Sequence, residues 1–524
     1  MSIVLNLSEH WKTIAADKEL QLLGCIHDLE QHQNALAAVE NIEAWAEKLK
    51  DLAGFFSLVK HEGNTVCAAV DHIRSRPLFY AVNDQGFYLS DSAEWVRQQV
   101  NDTVMDEFAK AEFQLTGYVT GRDTLYKNVK QLQAGECLVY ADHTLAVERY
   151  YSFEHSEPVD YSEAALLAEL DVVSKASIQR LIRYANGRQI VIPLSGGYDS
   201  RLIAALLKEA NYDNILTFTY GAKGNKEAAY SKIVADNLGL EWRFVEYTEA
   251  LWRAAWQTDE RNRYQLEGSN WTSLAHMQDW LAVKILKEQG IAEDNAVFAP
   301  GHCCVTGLIP PEIISKPNWD VNDTVENILK AHFNLCPVSK LNNEFYNEKI
   351  IRDKIINYLS GANTLESYIS KMMAFNWEER QSKYIGNSVR VYDFFGYDWW
   401  MPLWDKEFTN YWKEIPINKR INRNLYVSYV NKVYLKNSKD RVHIGNAASS
   451  GLVGVVSNST FLKKLRLTEF LRYIYRFYVK KVFKTSDKLL INSAQKHSEV
   501  KKLEEKGFLM NGITIYFFLN DHAD

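Results

Sequence analysis

A glycine-rich turn carries the clearest chemistry in the sequence. The run VIPLSGGYDSRLIAALL covers residues 191–207 and leads from an apolar segment into a helix-like one. Glycines let the backbone approach an anion closely, serine hydroxyls can donate to phosphate oxygens, and a helix N-terminus adds free N–H groups. A carboxylate in such a turn is explained if it binds Mg²⁺ that bridges to the phosphate. We therefore predict a pyrophosphate-binding loop made of Ser195, Gly196, Gly197, Asp199 and Ser200, with Asp199 as the magnesium ligand.

Other kinds of glycine turn fit this run less well. A helix capped after a glycine turn is the structural alternative, because Ser and Asp are good N-cap residues. No Lys follows in a G-K-[ST] arrangement, so the run is not a Walker loop. It also lacks the G-x-G-x-x-G spacing of dinucleotide-binding turns. The complete S-G-G-x-D-S pattern between a strand and a helix favours the pyrophosphate loop.

A second turn, GHCCVTG at residues 301–307, follows the apolar segment AVFAP at 296–300. A histidine at this place, His302, could act as a general base, because its pKa lies near neutrality. A hydrogen-bonded structural histidine is the equally good alternative. Zinc binding by His302, Cys303 and Cys304 is disfavoured, since adjacent cysteines chelate one ion poorly.

The elements that position both turns alternate between strands and helices. Helices are predicted over 162–185, 199–210 and 226–238, and strands over 189–194, 215–220, 241–247 and 296–300. This alternation predicts βαβ units and a doubly wound parallel sheet. Because ligands of such sheets bind at the carboxyl ends of the strands, we place the active site where the two turns lie.

The rest of the chain divides into three further kinds of segment. Residues 1–155 contain short alternating runs such as GFFSLV, TVCAAV and ECLVY between turn signals, which predict a mostly β domain with some helix. EHSEPVD at 154–160 has the composition of a linker, and 308–445 is mainly helical in pattern. We therefore predict an N-terminal domain at 1–155, a second domain at 160–445 and a basic, aromatic-rich extension at 446–524.

Composition excludes several classes of protein. The chain has 524 residues, 66 acidic against 60 basic, and a net charge of −6, so nothing indicates nucleic acid as a partner. Its six cysteines form no C-x-x-C pair, which favours a reducing compartment. We see no signal peptide and no apolar run of about 18 residues, and we expect a cytoplasmic protein.

Several motifs in order resemble the asparagine synthetase family. GFF at 54–56 and DHIRSRPLFY at 71–80 are similar to the family's G-x-F and D-x-x-G-x-[KR]-P-L-Y patterns. LYKNVKQLQAGECLVY at 125–140 resembles its K-x-L-P-P-G strand pair. GNKEAAYSKIVADNLGLEWRFVE at 224–246 and YDWWMPLWD at 397–405 resemble its D-E-x-x-x-A…L-G and E-x-R-x-P-F-L-D segments. Together with the S-G-G-x-D-S loop, these cover about residues 50–430.

The resemblance implies both a fold and a reaction. It implies an N-terminal class II glutamine amidotransferase-like sandwich, degenerate here, followed by a doubly wound parallel-sheet ATP-pyrophosphatase domain. It implies that ATP and Mg²⁺ adenylate a carboxylate, and that a nitrogen nucleophile then displaces AMP to form an amide. Gly221, at the end of the predicted 215–220 strand, joins the nucleotide-binding residues.

The sequence departs from the family pattern at functional positions. The family's glutaminases use an N-terminal Cys, whereas this chain begins Met1-Ser2 and lacks the N-G-E substrate turn. We therefore expect no glutaminase activity, as in β-lactam synthetases and lasso-peptide cyclases. Val305 stands where the second loop of the family has a metal-binding Asp, which leaves Asp199 as the magnesium ligand.

Two further catalytic residues follow from the resemblance. Asp398 falls at the position of the Glu in E-x-R, and could pair with His302 as an orienting carboxylate; a helix-end ion pair is the alternative. Arg423, or Arg420 beside it, falls where the family has a Lys that stabilises charge as the adenylate breaks down; a solvated basic turn is the alternative.

The last segment and the substrate leave alternatives open. Residues 463–484 carry eight basic residues against Glu469 with apolar residues at helical spacing, so this helix either packs on the protein or contacts an anionic membrane.

Residues 379–405 resemble proteins of bacterial surface-polysaccharide clusters, which favours a sugar uronic acid over free aspartate. Nitrogen would come from free ammonia or a separate glutaminase, and a homodimer is compatible with the sequence. The alternatives are an intramolecular β-lactam or macrolactam cyclase and an inactive ATP-binding scaffold.

Overall fold

The computed structural model describes residues 2–15, 19–39, 41–306, 309–316, 318–337, 341, 348–439 and 497–522. The prediction for 463–484 and most of the 446–524 extension therefore lie outside the described residues. Among the helices of the described ranges, none combines the length and the apolar character that crossing a membrane would require.

The described residues of the N-terminal domain form two facing sheets with four helices. Its strands are β1 (Ser2–Asn6), β2 (Lys12–Ala15), β3 (Leu20–Ile26), β4 (Gly54–Glu62), β5 (Thr65–Val70), β6 (Phe79–Val82), β7 (Gly86–Ser90), β8 (Lys130–Gln131), β9 (Glu136–Ala141) and β10 (Thr144–Arg149). Its helices are α1 (Leu29–Ala37), α2 (Ile42–Leu49), α3 (Ala93–Gln99) and α4 (Glu107–Thr116).

The strands of the N-terminal domain form two sheets that pack face to face as a sandwich. One sheet has the order β1-β7-β6-β8 and the other β10-β9-β5-β4-β3-β2. The central strands β4, β5 and β9 are buried almost throughout because their residues face either a helix layer or the second sheet. The predicted strand runs GFFSLV, TVCAAV and ECLVY fall on these three strands, which confirms the prediction of a mostly β domain.

The second domain begins with the long helix α5 and alternates strands with helices. Its first elements are α5 (Glu163–Ala185), β11 (Ile190–Pro193), α6 (Tyr198–Glu209), β12 (Ile215–Gly221), α7 (Lys226–Leu238), β13 (Glu241–Glu246), α8 (Glu249–Trp256), α9 (Asp259–Ser269), α10 (Trp280–Glu288) and β14 (Val297–Phe298). The predicted helices and strands between 162 and 300 agree with these bounds within a few residues.

The remaining elements are mostly helical, as the pattern of 308–445 predicts. They are α11 (Glu312–Ser315), α12 (Val321–His332), α13 (Glu348–Tyr358), α14 (Leu365–Asn376), a π-helix (Trp377–Ile385), a 3₁₀ turn (Gly386–Val389), α15 (Arg390–Phe394), β15 (Asp398–Trp399), a 3₁₀ turn (Pro402–Trp404), α16 (Lys406–Lys413), α17 (Ile417–Arg420), a 3₁₀ turn (Ile421–Arg423), α18 (Asn424–Asn437), α19 (His497–Glu505) and α20 (Met510–Asp521).

The second-domain sheet is parallel and has the order β13-β12-β11-β14-β15. The chain builds the sheet outward from β11 in one direction and from β14 in the other. The reversal between these two strands is the switch point at which open α/β sheets bind ligands. This arrangement confirms the predicted fold class.

Aromatic side chains fill the seam between the two domains. Trp400 packs edge-on against Phe55 at 4.7 Å between ring centroids, and Trp377 donates from Nε1 to the backbone oxygen of His72 at 2.8 Å. Arg76 lies 4.3 Å from the ring of Trp399. The high tryptophan content is thereby largely explained by core and seam packing, since eight tryptophans are among the largest fully buried side chains.

Candidate functional site

The loop after β11 forms a closed set of hydrogen bonds around two serines. The backbone N–H of Ser195 donates to Oγ of Ser200 at 3.1 Å, and the two hydroxyl oxygens lie 3.2 Å apart. The N–H of Gly197 donates to Oγ of Ser195 at 3.1 Å, and Arg201 donates from Nη2 to the oxygen of Gly196 at 3.1 Å. Helix α6 begins at once with Gly197 as its N-cap, so no side chain caps it. This leaves the positive helix end to face an incoming anion.

The loop after β14 packs directly against this first loop. A Cβ atom placed on Gly301 would lie 2.7 Å from the backbone nitrogen of Ser200 and 3.0 Å from its Cβ. The two loops can therefore meet only because residue 301 has no side chain. They follow the two central strands β11 and β14, which places them at the switch point of the sheet.

Arg423, which lies just before α18 near the end of the second domain, contacts the first loop. It donates from Nη2 to the Asp199 carboxylate. Burial disfavours its charge, but Asp199 outweighs this effect and raises the pKa of Arg423. Arg423 and the preceding Asn422 have φ values of 60° and 55°, a left-handed conformation that costs energy for residues with a side chain. The structure thus brings Arg423 to the 195–200 loop, while its role in stabilising charge on a phosphate stays a prediction.

Arg420, the other candidate on this segment, does not contact the loop through a hydrogen bond. It donates from Nε to the oxygen of Ile415 at 3.0 Å and from Nη1 to the sulfur of Met373 at 3.3 Å. Burial lowers its pKa to about 10. Arg423 is therefore the better candidate for stabilising charge on a phosphate.

His302 lies in the second loop, one residue after the contact with Ser200. Its ring nitrogens Nδ1 and Nε2 are 3.2 and 3.3 Å from Oγ of Ser388, which itself donates to the oxygen of Ile385. Burial, followed by the neighbouring His276, lowers the pKa of His302 to about 4. The ring is consequently neutral at pH 7, as a general base must be before it accepts a proton.

A second histidine, His276, forms a pair with a buried carboxylate near His302. Nδ1 of His276 is 3.0 Å from Oδ1 of Asp279, which is 6% exposed. Asp279 is also close enough to Tyr392 to raise the pKa of that phenol, although burial is the larger cause. Asp279 raises the pKa of His302, but His276 lowers it more strongly, so the carboxylate that favours a charged His302 ring is Asp279 and not Asp398.

The predicted pairing of Asp398 with His302 is wrong. Asp398 is the first residue of β15 and accepts a hydrogen bond from Nη1 of Arg188, which precedes β11. Both residues lie at the amino edge of the parallel sheet, whereas His302 follows the carboxyl end of β14. Alignment by counting from Pro402 failed because the strand β15 separates Asp398 from the loops. The ion-pair alternative for Asp398 agrees with the structure.

The other predicted positions lie near the switch point. Gly221 ends β12 with φ 133°, and its oxygen accepts a hydrogen bond from the N–H of Tyr247 at 2.8 Å. Val305 is buried at 7% exposure, so the second loop offers no carboxylate at this place. Cys303 accepts a weak hydrogen bond at its sulfur from the N–H of Val305 at 3.4 Å. Within the described ranges, no three His, Cys, Asp or Glu side chains are grouped as metal ligands.

The donor set at the first loop fits a nucleotide phosphate better than a free metal ion. Two hydroxyls, the uncapped start of α6 and the Arg423 guanidinium all favour a phosphate group. Asp199 is the loop's one carboxylate, which suits Mg²⁺ because that ion takes one or two carboxylates and completes its shell with phosphates and water.

The cysteines of the N-terminal domain lack the environment of a thiolate nucleophile. Burial raises the pKa of Cys67 to about 11 and of Cys137 to about 12. Burial also raises the pKa of the half-buried Cys25, against a smaller opposing effect of Lys12. Reactive cysteines have lowered pKa values, so none of these three is activated for attack on an amide.

Sequence reasoning did not identify Ser388, His276 or Asp279. Ser388 is 86 residues from His302 in the chain and reaches it through the 3₁₀ turn that follows the π-helix. His276 and Asp279 precede α10 and have no motif around them. The H-x-x-D spacing was the one available signal, because it can place a carboxylate beside a ring nitrogen.

Comparisons with known proteins match both domains. The family described as asparagine synthase matches residues 182–291, and the family described as glutamine amidotransferase domain matches residues 32–151. No curated protein matches the chain in sequence. The first of these matches contains the S-G-G-x-D-S loop, and the second covers most of the N-terminal sandwich.

Solved structures similar to parts of the chain are distant. An NH₃-dependent NAD synthetase from Campylobacter jejuni has 16% identity, with 38% of this chain and 93% of that chain covered, at a TM-score of 0.19. A glutamine phosphoribosylpyrophosphate amidotransferase from B. subtilis has 10% identity, with 56% and 64% covered, also at 0.19. At such TM-scores these likenesses carry no argument on function.

Proposed function

The chain is a member of the asparagine synthetase family, and from this premise we propose that it is an ATP-dependent amide-forming synthetase. In this reaction a substrate carboxylate oxygen attacks the α-phosphorus of ATP. An acyl–adenylate bond forms, and the bond between the α- and β-phosphates breaks to release pyrophosphate. A nitrogen nucleophile then attacks the acyl carbon, AMP leaves with the bonding electron pair, and the nitrogen loses a proton.

The observation that carries the proposal is the contact between the two loops at the switch point. Gly301 lies against Ser200, so the residue that follows it, His302, is held next to the phosphate-binding loop. Ser195, Ser200 and the start of α6 would bind the pyrophosphate part of ATP. Arg423 would stabilise the charge on the leaving pyrophosphate or AMP.

His302 is the proposed base for the attacking nitrogen. Its low pKa keeps the imidazole neutral before reaction, so the ring is ready to accept a proton. Ser388 orients the ring, and Asp279 is the nearby carboxylate that would stabilise the imidazolium as it forms, against the opposing effect of His276. These side chains would act as positioning residues, because Ser388 and Asp279 act through His302.

One residue of the 195–200 loop could hold a magnesium ion. Asp199 would hold Mg²⁺ bound to the nucleotide phosphates, with the rest of its shell supplied by phosphate and water. Mg²⁺ would neutralise charge on the phosphates. Asp199 is paired with Arg423, so binding of Mg²⁺ at this carboxylate would require Arg423 to turn towards the phosphates.

We also propose that the nitrogen does not come from glutamine hydrolysis by this chain. The support is the raised pKa of Cys25, Cys67 and Cys137 in the amidotransferase-like domain. Ammonia from solution, or from a separate glutaminase, would serve instead. Purified protein incubated with glutamine and ATP should release no glutamate; glutamate release that disappears in Cys25→Ser would contradict this part of the proposal.

A carbohydrate carboxylate is the proposed acceptor. The support is the resemblance of residues 379–405 to proteins of surface-polysaccharide clusters. The high aromatic content is not evidence for a sugar-binding site, because most tryptophans pack in the core and at the seam between the domains. An intramolecular cyclase and an inactive scaffold remain outcomes of the test that follows.

The experiment is pyrophosphate and AMP release from ATP and Mg²⁺ with ammonia present, across aspartate, uronic acids, sugar-nucleotide uronates and amino diacids. Release that depends on one acid supports the proposal and identifies the acceptor class. Asp199→Ala should abolish release, whereas Asp213→Ala, the same change at an exposed position after α6, should leave it unchanged. ATP binding without release for any acid would favour the scaffold, and release with an amino diacid in the absence of ammonia would favour the cyclase.

A further inference from the structure

A cavity of about 750 Å³ lies between the N-terminal domain and the helical part of the second domain. One wall comes from residues 120–122 and 133–154 of the first domain, and the other from α13, α14 and the start of the π-helix. This volume is in the range of sites for small organic molecules. π-helices are rare and occur often at functional sites, and this one contributes Glu378 and Glu379 to the wall.

Most charged groups of the wall already have partners within the protein. The Glu379 carboxylate accepts from the N–H of Gly121 at 2.9 Å, from Gln133 at 3.1 Å and from Lys383 at 2.6 Å. Glu136 accepts from Arg122 through both oxygens. These groups hold the wall together, so they have little hydrogen-bonding capacity left for a ligand.

The cations of the wall are likewise committed to neighbouring carboxylates. Lys354 lies 3.2 Å from Glu112, and Lys371 lies 3.6 Å from Glu154. Arg122 pairs with Glu136 at 3.0 Å. An anionic ligand would therefore have to displace an existing ion pair in order to find a counter-charge.

Glu378 differs from the other carboxylates of the wall. It is 4% exposed, and its nearest cation is Nη2 of Arg149 at 3.4 Å. That nitrogen already donates to Gln133 and Glu136 at 3.0 Å each, so its contact with Glu378 is the longest of the three. Burial raises the pKa of Glu378 to about 7, because Arg149 offsets it only in part and the carboxylates of Glu379 and Glu136 add to it.

Aromatic rings border the same part of the cavity. Tyr358 and Phe375 pack edge-on with ring centroids 5.2 Å apart, and both line the cavity. Tyr358 is also close enough to Glu378 to interact with its carboxyl group. A buried, weakly neutralised carboxylate beside aromatic rings is an environment that suits an ammonium group.

We propose that this cavity binds a small molecule with a primary amine on a ring-sized body, with the ammonium group paired with Glu378 and the ring beside Tyr358 and Phe375. A divalent cation suits the place less well, because within the described ranges no group of three metal-ligating side chains is present. The chemistry fits both an amino sugar, whose hydroxyls could reach the polar wall, and an apolar ring amine.

This inference does not depend on the proposed synthetase activity. None of the residues that line the cavity belongs to the 195–200 or 301–305 loops. Binding of an amine can therefore be found in a protein that does not adenylate a carboxylate, and adenylation can be found without amine binding.

Isothermal titration calorimetry of the full chain at pH 7 tests the proposal. The probes are glucosamine with glucose as its neutral counterpart, and cyclohexylamine with cyclohexanol. We expect each amine to bind at least tenfold more tightly than its neutral counterpart if its body fits, and the stronger amine identifies the kind of body. The proposal is overturned if neither amine binds, or if each neutral compound binds as well as its amine.

Proton release provides a readout that a purely structural glutamate would not change. With a pKa of about 7, roughly half of the Glu378 carboxyl groups are protonated at pH 7, so binding an ammonium should release about 0.5 proton per site. Heats measured in two buffers of different ionisation enthalpy report this number. The affinity for cyclohexylamine should rise between pH 6 and pH 8, because the carboxylate form binds the cation.

The charged or ionisable groups that act on Glu378 from the surrounding elements are Arg149, Glu136, Glu379 and Tyr358. Glu378→Gln should weaken amine binding at least tenfold and abolish the proton release. Glu43→Gln, the same change on the exposed face of α2, is the matched control and should change neither. Unaltered amine binding by folded Glu378→Gln protein overturns the proposal. If that variant does not fold, the proposal is tested by the affinities of the wild-type protein for each amine and for its neutral counterpart.

Discussion

Replacing Gly301 by alanine should separate the two loops of the candidate site. The new Cβ would lie 2.7 Å from the nitrogen of Ser200, closer than Cβ atoms approach other atoms in proteins, and 3.0 Å from its Cβ, which is tighter than most such contacts. These neighbours belong to the backbone and to the first atom of a side chain, so they cannot rotate away. Overpacking of this kind costs about 1–3 kcal/mol, and if the cost falls on the nucleotide-bound arrangement it weakens ATP binding by about 5- to 150-fold.

The assay is calorimetric titration of ATP into wild-type and Gly301→Ala protein, with urea unfolding of both. Gly361→Ala is the control, because Gly361 has φ +83° and open space around its Cβ position. That change should lower the free energy of unfolding by roughly 1–2 kcal/mol through backbone strain and leave ATP affinity unchanged. Unaltered ATP affinity in Gly301→Ala would refute the claim that contact between the loops forms the nucleotide site.

Four further outcomes follow from the same structure. A double-mutant cycle with Arg423→Gln and Asp199→Asn should give a coupling free energy of about 0.5–3 kcal/mol in urea unfolding, whereas additive effects would mean that the ion pair contributes nothing. His302→Ala should lower turnover by about 10²- to 10⁴-fold. Because the pKa of His302 is lowered to about 4, its neutral form persists down to that pH, so its ionisation should leave kcat/KM flat between pH 5 and pH 7; an acid limb near pH 6.5 that disappears in His302→Ala would contradict this pKa. Asp398→Asn should cost at most about 1 kcal/mol of stability, since its pair with Arg188 is partly exposed, and should not reduce turnover; a tenfold loss would return Asp398 to the mechanism.

The elements that the sequence predicted well are those with strong local patterns. Helix α5, strand β12 and the glycine turn after β11 each have a clear hydrophobic period or turn signal, and their bounds agree with the structure within a few residues. The parallel sheet follows from the alternation of such elements and the handedness of their connections. The family resemblance added the sandwich architecture of the N-terminal domain.

The parts of the site that sequence reasoning missed depend on contacts between distant segments. Ser388 reaches His302 because a π-helix and a 3₁₀ turn change the helical register just before it, and no simple 3.6-residue period predicts such a change. Asp398 was misplaced because a two-residue strand puts it at the opposite edge of the sheet. The resemblance left Arg420 and Arg423 as candidates, and the structure brings Arg423 to the 195–200 loop through a left-handed backbone that had no sequence signal such as glycine.

Transfer of ¹⁸O from the acceptor to AMP tests the central claim most directly. Once an acid that supports pyrophosphate release is known, its carboxylate is labelled with ¹⁸O and the products are analysed by mass spectrometry. Adenylation of the carboxylate at the 195–200 loop predicts one ¹⁸O atom in AMP, because the carboxylate oxygen that attacks the α-phosphorus leaves with AMP when nitrogen displaces it. Label in inorganic phosphate with ADP as the nucleotide product, or AMP without label, would contradict it.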